Sequence, residues 1–281
     1  MRFPVIDGVP ILLDEQASIF TFSDFVEKRK TYFDPNRRGH RLRDLFVRML
    51  YENTTEGKTD ELLSTFARHL RLPAPRILVV GAGAAGLASL SSRGIEVVST
   101  DVSLGDDVAI VCDGHDLPFD DETFDGVIAQ AVLEHVVDPV RCVEEMHRVL
   151  RPDGIVFSDT PFMQQVHGGR FDFTRFTHLG HRRLFRRFEE LESGASAGPG
   201  IALIWSYRYF LLSFSTSLTL TRFLRVFAKA TSFWWKYFDR FLIDRPGALD
   251  AASGLYFIGR KSESVLSDRA LVASYRGVNQ R

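Results

Sequence analysis

The chain has 281 residues, of which 45% are hydrophobic and 25% charged, and its formal net charge is −1 at pH 7. This length accommodates one large α/β domain with additions, which we favour, or two small domains. The balanced charge argues against a generic nucleic-acid binder, which needs a broad excess of lysine and arginine to neutralise phosphates, so no nucleic-acid partner is expected.

The composition also bounds the chemistry and the location. The two cysteines, Cys112 and Cys142, cannot form a structural zinc site, so we interpret them as small core residues and predict no metal ligands. The first eight residues include a proline and an acid, unlike a signal peptide, and no window reaches the ~20 apolar residues of a membrane span. We therefore expect a cytoplasmic protein.

Residues 1–72 are predicted to precede the main domain as a hairpin-like segment and a helical cap. Residues 3–13 alternate turn-forming and apolar residues, as a short hairpin does. Residues 17–72 repeat apolar residues at helical spacing, which predicts three amphipathic helices.

An apolar strand at residues 76–80 ends in a turn with Gly81, Gly83 and Gly86, and Asp101 closes a second strand twenty residues after the first glycine. The glycines allow the backbone to turn tightly and approach a ligand, and the N-terminus of the next helix offers unpaired N–H groups. An acid at the tip of the second strand can accept hydrogen bonds from ribose hydroxyls. The pattern predicts an adenosine-containing cofactor and leaves NAD, FAD and S-adenosyl-L-methionine (SAM) open.

Strands and helices alternate from residue 75 onward, which indicates a parallel sheet. We predict strands near 76–80, 95–100, 108–112, 124–130 and 154–160, and helices near 84–93, 102–106 and 137–150. Ligands bind outside the carboxyl ends of such strands, which is where Gly81, Asp101, Asp113 and Gln130 fall. We therefore expect one ligand crevice at that edge of the sheet.

The loop at residues 160–180, after the fifth predicted strand, is rich in glycine, aromatic and basic residues. Arg170 and Arg175 indicate an anionic group on the substrate, with a surface ion pair between Arg175 and Asp172 as the alternative. Further along we predict a helix at 181–190 and strands at 191–197 and 254–261, with no clear pattern in the tail at 263–281.

Residues 201–245 form an unusual insertion between the last two predicted strands. It holds all three tryptophans, and most of its charges are basic. An aromatic and basic amphipathic helix is typical of a membrane interface, so we predict contact with the inner face of the membrane. A homodimer interface and a helical lid on the core are, together, equally good alternatives.

Four motifs in order over residues 76–160 carry a resemblance to a known family. The glycine turn and Asp101 are followed by Asp113-Gly-His-Asp-Leu-Pro-Phe, by Leu133-Glu-His-Val and by Arg148-Val-Leu-Arg-Pro-Asp-Gly. The series resembles class I SAM-dependent methyltransferases of the type 11 family, and the C-terminal part resembles bacterial members associated with surface-polysaccharide pathways. The resemblance implies a Rossmann-like seven-stranded, mostly parallel sheet whose antiparallel last strand lies between strands five and six.

The same resemblance implies SAM as the cofactor, bound by the glycine turn, the end of the second strand and the turns that follow. The residues that match are Gly81, Ala82, Gly83, Gly86, Asp101, Val102, Asp113, Gly114, His115 and Gln130. Helices before the core often cover this cleft in class I enzymes, which would bring Tyr32, Arg37, Arg38 and His40 near it. A solvated face is the favoured alternative for the basic residues among them.

The opening segment is similar to the tail of Trm112-like modules, but it lacks their cysteines. We carry over a packing role and no metal. An N-terminal strand that packs against the main domain is an equally good interpretation.

Methyl transfer from a sulfonium depends mainly on the alignment of the acceptor with the methyl group. If the acceptor is a hydroxyl, a histidine is favoured as the base that removes its proton. The candidate catalytic residues are His167, His135 and Arg175, and His178 is a further competitor that could instead anchor the loop.

We thus predict a SAM-dependent methyltransferase with its core at residues 73–262. Its acceptor would be a small molecule or glycan, methylated at a hydroxyl or carboxylate of a glycan, a lipid-linked saccharide or another amphipathic compound. The alternatives are a non-catalytic SAM-binding scaffold or membrane adaptor and a flavin or nicotinamide oxidoreductase.

Overall fold

The computed structural model describes residues 3–27, 55–70, 73–82, 90 and 93–280. Several predictions lie outside the described residues. They are the second N-terminal helix, most of the helix at 84–93, and the roles of Tyr32, Arg37, Arg38, His40, Gly83 and Gly86.

The described residues begin with a short antiparallel hairpin, β1 (Val5–Ile6) and β2 (Val9–Pro10), as the pattern predicts. Ile11 then forms a parallel bridge with Val111, and Leu12 N donates to the Val111 carbonyl at 2.8 Å. Ile11 is fully buried there. The N-terminal segment therefore packs along the edge of the main sheet, and its similarity to a Trm112-like tail stays a prediction.

Seven strands of the described residues form the main sheet. In chain order they are β3 (Arg76–Val80), β4 (Glu96–Asp101), β5 (Ile110–Val111), β6 (Phe124–Gln130), β7 (Leu150–Pro161), β8 (Phe188–Ala197) and β9 (Gly254–Lys261). Their order across the sheet is β5-β4-β3-β6-β7-β9-β8. The first five pair in parallel, and β9 runs antiparallel to both β7 and β8. This confirms the predicted fold class, including the insertion of the last strand between the fifth and sixth.

The helices of the described residues flank this sheet. They are α1 (Phe22–Val26), α2 (Thr55–His69), α3 (Pro139–Val149), α4 (His178–Leu184), α5 (Pro199–Leu212), α6 (Leu218–Ser232), α7 (Asp239–Leu242), α8 (Pro246–Ala251) and α9 (Asp268–Ala273). Two 3-10 helices lie at Gly169–Phe171 and Phe233–Phe238.

Three expectations about local structure are wrong. Residues 102–106 form bends and a turn instead of a helix, because the Asp101 carboxylate accepts the Ser103 N–H at 2.9 Å and closes a local turn. The helix predicted at 181–190 ends at Leu184, since buried Arg182 donates to the carbonyls of Phe185 and Phe188 and folds the chain back into β8. The tail is not patternless, because it contains α9.

The core consists of two apolar layers, one on each face of the sheet. Alternate residues of β3 point to opposite faces, so Ile77 packs in the layer that includes Phe66 of α2, while Leu78 packs in the layer that includes Met146 of α3. Cys112 and Cys142 are buried free thiols in the second layer, as predicted. The sheet is therefore covered on both faces, and its carboxyl edge is left for a ligand.

A buried carboxylate joins the end of the insertion to its beginning. Asp239 at the start of α7 accepts the backbone N–H groups of Gly200 at 2.7 Å and Ile201 at 3.0 Å, in the first turn of α5. Two orphan amides of that helix are thereby satisfied. Burial raises the pKa of Asp239, although these two hydrogen bonds oppose the rise. In the part of the chain that the structure describes, no helix combines the length and the apolar character needed to cross a bilayer.

Gly126 of β6 allows α2 to approach the sheet, which yields a first prediction. A Cβ at this position would lie 2.7 Å from Phe66 Cζ and 3.0 Å from Leu70 Cδ2. Phe66 is fully buried and has no room to move away. Gly126→Ala should therefore lower the free energy of unfolding by about 1–3 kcal/mol, measured by chemical denaturation.

Gly105→Ala is the matched control. Its Cβ would meet only Val108 Cγ2, at an ordinary 3.4 Å. If both variants unfold like the native protein, the close packing of α2 on β6 is not a constraint.

Candidate active site

A cleft opens at the carboxyl ends of the parallel strands, where the sequence predicts the ligand crevice. Its empty volume is about 860 Å³, part of which is open to solvent. This is within the usual range for small-molecule sites. Eight of the ten residues predicted to bind the cofactor are described, and seven of those line the cleft: Gly81, Asp101, Val102, Asp113, Gly114, His115 and Gln130.

Gly81 forms the turn at the end of β3 and cannot be replaced by a larger residue without strain. Its φ is +75°, and a Cβ would lie 2.4 Å from Val132 Cγ2. The N–H groups of Gly81 and of buried Ala82 both donate to the Thr100 carbonyl, at 2.8 and 2.9 Å. These two bonds hold the backbone of the turn between the ends of β3 and β4. Because Gly81 has no side chain, a ligand can lie directly against this backbone, as a nucleotide-type cofactor requires.

Asp101 ends β4 beside this turn. Its side chain is buried, and its Oδ1 accepts the Ser103 N–H at 2.9 Å. Asp101 and half-buried Val102 line the cleft together. A carboxylate fixed by its own backbone turn is suited to accept hydrogen bonds from a ribose.

Asp113 is the centre of a hydrogen-bond network. Its carboxylate accepts the Ser18 hydroxyl, the His115 ring Nδ1–H and the His115 N–H, the last at 3.0 Å. His115 Nε2 in turn accepts the N–H of Asp138, the N-cap of α3, at 3.0 Å. Burial alone would raise the pKa of Asp113, but the hydrogen bonds from His115 and Ser18 outweigh it and lower that pKa. The His115 side chain therefore links Asp113 to the start of α3.

The N-terminal segment supplies part of the cleft wall that the sequence did not reveal. Ile19 and Phe20 line the cleft next to Asp113, and the Phe20 ring lies 5.8 Å from the ring of Phe171. Phe171 comes from the loop after β7. Neither residue type carries a recognisable signal in the sequence, because their role depends on where the two segments meet.

Gln130 and Ala131 mark the end of β6. Gln130 lines the cleft, and its amide donates weakly to Thr59 Oγ1 of α2 at 3.5 Å. Ala131 has a φ of +53°, which is unusual for a residue with a side chain. The turn leads directly into Leu133-Glu-His-Val at the mouth of the cleft.

His135 and His167 meet at this mouth, although 32 residues separate them in the sequence. Their ring centroids are 5.0 Å apart, and His135 lines the cleft. His135 Nδ1–H donates to the Phe171 carbonyl at 2.7 Å, and His167 Nδ1 faces the Gln165 carbonyl at 3.3 Å. Burial lowers the pKa of His135 to about 4 and also lowers that of His167. Both imidazoles are therefore neutral at pH 7.

Glu134 lies between the two histidines and was missed as a site residue, although it stands in the Leu-Glu-His-Val motif. Its Oε1 is 3.5 Å from His135 Nε2 and 3.9 Å from His167 Nε2. The side chain is fully buried, and neither carboxylate oxygen has a hydrogen-bond partner among the described residues. Burial raises the pKa of Glu134 to about 8.

Arg175 is engaged with its own loop. Its guanidinium donates to the Asp172 carboxylate and to the carbonyls of Gln164 and Gln165, at 2.8 and 3.2 Å. Asp172 also accepts the His167 N–H at 2.8 Å. Burial would raise the pKa of Asp172, but the bonds from Arg175 and the loop amides lower it. Arg175 therefore acts on the site by holding the loop that carries His167.

The other cations and histidines of this region face elsewhere. Arg170 packs over the Phe171 ring at 4.8 Å. His178 contacts Ser193 and Arg276 rather than the His135–His167 pair.

The insertion contacts the loop that carries His167. Tyr209 of α5 donates its hydroxyl to the Val166 carbonyl at 2.9 Å, and Gln165 donates to Ser206 at 3.1 Å. The Trp205 ring lies 6.3 Å from the His167 ring. The aromatic insertion therefore packs beside the loop that carries His167.

Comparison with known proteins places the sequence motifs in a family. Residues 78–158 match the family model described as a methyltransferase domain, of type 11. An uncharacterized methyltransferase of Mycobacterium tuberculosis is 39% identical over 92 residues, which cover 29% of this chain and 37% of that protein. A demethylmenaquinone methyltransferase of Clavibacter sepedonicus is 39% identical over 93 residues, covering 28% of this chain and 38% of that protein. The chain thus spans less than two fifths of the length of these relatives.

Among solved structures, phosphoethanolamine N-methyltransferase 2 of Haemonchus contortus is similar with a TM-score of 0.47 and 15% identity. The match covers 71% of this chain and 52% of that one. The fold is defined by the strand order of the sheet itself. Residues 78–158 are thus similar to the type 11 methyltransferase domain, and the strand order of the sheet is that of a class I fold.

Proposed function

We propose that this chain is a SAM-dependent methyltransferase that methylates a hydroxyl or carboxylate of an amphipathic acceptor, such as a glycan or a lipid-linked saccharide. The observation that carries the proposal is a convergence at one cleft. Gly81, Asp101 and Asp113 line its inner part, and the neutral His135–His167 pair lies at its mouth. When bound, SAM supplies an activated methyl group on a sulfonium.

The chain's own residues would bind and orient the two reactants. Asp101 accepts hydrogen bonds from ribose hydroxyls, and Gly81 lets the backbone lie against the cofactor. The carboxylate of Asp113 is held by Ser18 and His115, which fixes this part of the cleft wall. Phe20 and Phe171 add apolar surface to the wall of the cleft.

We assign the activation of the acceptor oxygen to His135 and His167. Both imidazoles are neutral, and the Nε2 atom of each faces Glu134 at the mouth of the cleft. Arg175 is a positioning residue, because it holds the loop through Asp172 while Asp172 binds the His167 N–H.

An amphipathic acceptor is favoured by the surroundings of this loop. The α5 helix of the insertion contacts residues 165 and 166, next to His167. An acceptor with an apolar part could therefore lie on the insertion while its polar group reaches the cleft.

The insertion itself exposes an unusual apolar surface, which favours a membrane surface as its partner. Its large side chains with exposed fractions of 37–78% are Leu203, Phe210, Phe214, Leu218, Leu220, Phe223, Val226, Phe227, Phe233, Trp234, Tyr237, Phe238, Phe241 and Leu242. Arg222, Arg225, Arg240 and Arg245 are exposed among them, whereas Lys236 is buried. Exposed rings with cations between them match an interface of anionic headgroups and acyl chains.

The assignment of Asp101 gives a second prediction. Asp101→Ala should weaken the binding of S-adenosylhomocysteine by roughly 10- to 150-fold, because a charged hydrogen-bond acceptor contributes about 1.5–3 kcal/mol. Calorimetric titration measures this, with Asp107→Ala as the matched control, since Asp107 is an exposed acid in the next turn. Equal affinity in both variants would reject the ribose assignment.

A third prediction separates turnover from cofactor binding. His167→Ala should lower the transfer of labelled methyl groups from SAM into a lipid-and-glycan extract by about 10²- to 10⁴-fold, with little change in S-adenosylhomocysteine affinity. His178→Ala, outside the cleft, should keep nearly native turnover. Undiminished methyl transfer by the His167 variant would show that His167 is not a catalytic residue. Cofactor binding without transfer to any acceptor fraction would favour a non-catalytic scaffold.

The membrane proposal gives a fourth prediction. The protein should sediment with phosphatidylglycerol vesicles at low salt and be released as salt rises. Arg222→Gln and Arg225→Gln should each weaken binding about fivefold, since one basic residue near an anionic surface contributes about 1 kcal/mol. Arg269→Gln, an exposed arginine of α9, is the control. Failure to sediment together with a doubled mass in solution would indicate a homodimer instead.

A further inference from the structure

Three groups at the mouth of the cleft converge on a single point. Glu134, His135 and His167 each offer one ligand atom, and these atoms all lie within 4.8 Å of one another. The closest pairs are Glu134 Oε1 with His135 Nε2 at 3.5 Å and with His167 Nε2 at 3.9 Å. In a tetrahedral site with metal–ligand bonds of about 2.0–2.1 Å, two ligand atoms lie about 3.3 Å apart. Two of the three separations, 3.5 and 3.9 Å, are close to this spacing, and the third is at most 4.8 Å.

Glu134 provides an independent indication of a missing positive partner. Its side chain is fully buried, both oxygens lack a hydrogen-bond partner among the described residues, and it points at the two imidazoles. A buried carboxylate without a partner is costly, so such groups are normally paired or coordinate a metal. The nearby Arg175 does not fill this role, because it is bonded to Asp172 and to loop carbonyls.

The two histidines are oriented as metal ligands usually are. His135 donates its Nδ1–H to the Phe171 carbonyl at 2.7 Å, and His167 Nδ1 faces the Gln165 carbonyl at 3.3 Å. In metal-ligating histidines, a contact of one ring nitrogen with a backbone carbonyl orients the ring and turns the other nitrogen toward the metal. In both residues that other nitrogen is the Nε2 that faces Glu134.

We propose that Glu134, His135 and His167 bind a divalent transition-metal ion, with Zn²⁺ the best fit, and that the ion holds the acceptor oxygen. Two imidazoles and one carboxylate with a fourth position open are the ligand set of a catalytic zinc site. The proposal rests on the proposed function and specifies how the histidine pair activates the acceptor. It also departs from the sequence prediction, which contained no metal ligand.

A hydroxyl acceptor would lose its proton before it receives the methyl group. The acceptor oxygen binds the ion at its open position, which lowers the pKa of the hydroxyl, and the O–H bond breaks with release of the proton to solvent water. The oxygen lone pair then forms the new bond to the methyl carbon while the methyl–sulfur bond breaks, and that electron pair stays on sulfur. The roles of His135 and His167 in this scheme are those of ligands.

The test is metal binding by the full chain after chelator treatment and dialysis. Titration with Zn²⁺ should give one ion per chain, and Co²⁺ should give the visible spectrum of a tetrahedral nitrogen–oxygen site. Glu134→Gln and His167→Ala should each weaken Zn²⁺ binding by about 100-fold or more, since even outer-shell changes cost about 10- to 100-fold. His69→Ala is the matched control, because His69 faces Glu192 at 3.6 Å on the surface, and no third ligand joins this pair within the part of the chain that the structure describes.

S-adenosylhomocysteine binding, measured on the same samples, shows that each variant is folded and separates the two proposals. Loss of Zn²⁺ binding in the site variants with retained S-adenosylhomocysteine binding supports the metal site. Stoichiometric zinc that survives in Glu134→Gln, or no zinc binding by a native protein that binds S-adenosylhomocysteine, overturns it and leaves the methyltransferase proposal intact. Failure of the native protein to bind S-adenosylhomocysteine would instead contradict the proposed function.

Discussion

The site depends on the parallel pairing of β3 with both of its neighbours. Val80 pairs with Thr100 of β4 on one side and with Ala129 of β6 on the other. Because the strands run in the same direction, the next residues along each, Gly81, Asp101 and Gln130, lie side by side at one edge of the sheet. A shift of register by one residue would send the side chains of Asp101 and Gln130 to the opposite face of the sheet. The cofactor cleft is thus a direct consequence of how the sheet pairs.

Segments far apart in the sequence are assembled around this edge by a few buried polar contacts. Asp113 binds Ser18 of the N-terminal segment and, through His115, the start of α3. Asp239 ties the end of the aromatic insertion to the first turn of α5. Each carboxylate satisfies backbone or side-chain donors that would otherwise be buried without a partner. The N-terminal segment and the insertion therefore have defined positions beside the cleft and the acceptor loop.

The carboxylates near the cleft differ in pKa because their partners differ. Asp113 is buried but receives hydrogen bonds from Ser18 and His115, and its pKa is lowered. Glu134 is buried without a hydrogen-bond partner for its carboxylate oxygens among the described residues, and burial raises its pKa to about 8. The first carboxylate is a structural anion at pH 7, whereas the second lacks a positive partner among the described residues. This contrast distinguishes the part of the cleft that we assign to cofactor binding from the part that we assign to activation of the acceptor.

The strand–helix alternation, the place of the glycine turn and the acids that follow the strands could be predicted from the sequence, because they depend on short-range periodicity and on strand ends. The sequence also indicated His135, His167 and the aromatic insertion. Three relations emerge only from the folded chain: Ser18 and Phe20 complete the cleft, Arg175 holds the loop, and Glu134 lies between the two histidines. Those relations join segments from 18 to 175 in the chain, and a contact between distant segments leaves no pattern in either one. The same holds for the two helices that were predicted wrongly. Residue spacing predicted a helix after Asp101 and a longer helix after Arg182, but side-chain hydrogen bonds to the backbone formed a turn in one case and ended the helix in the other.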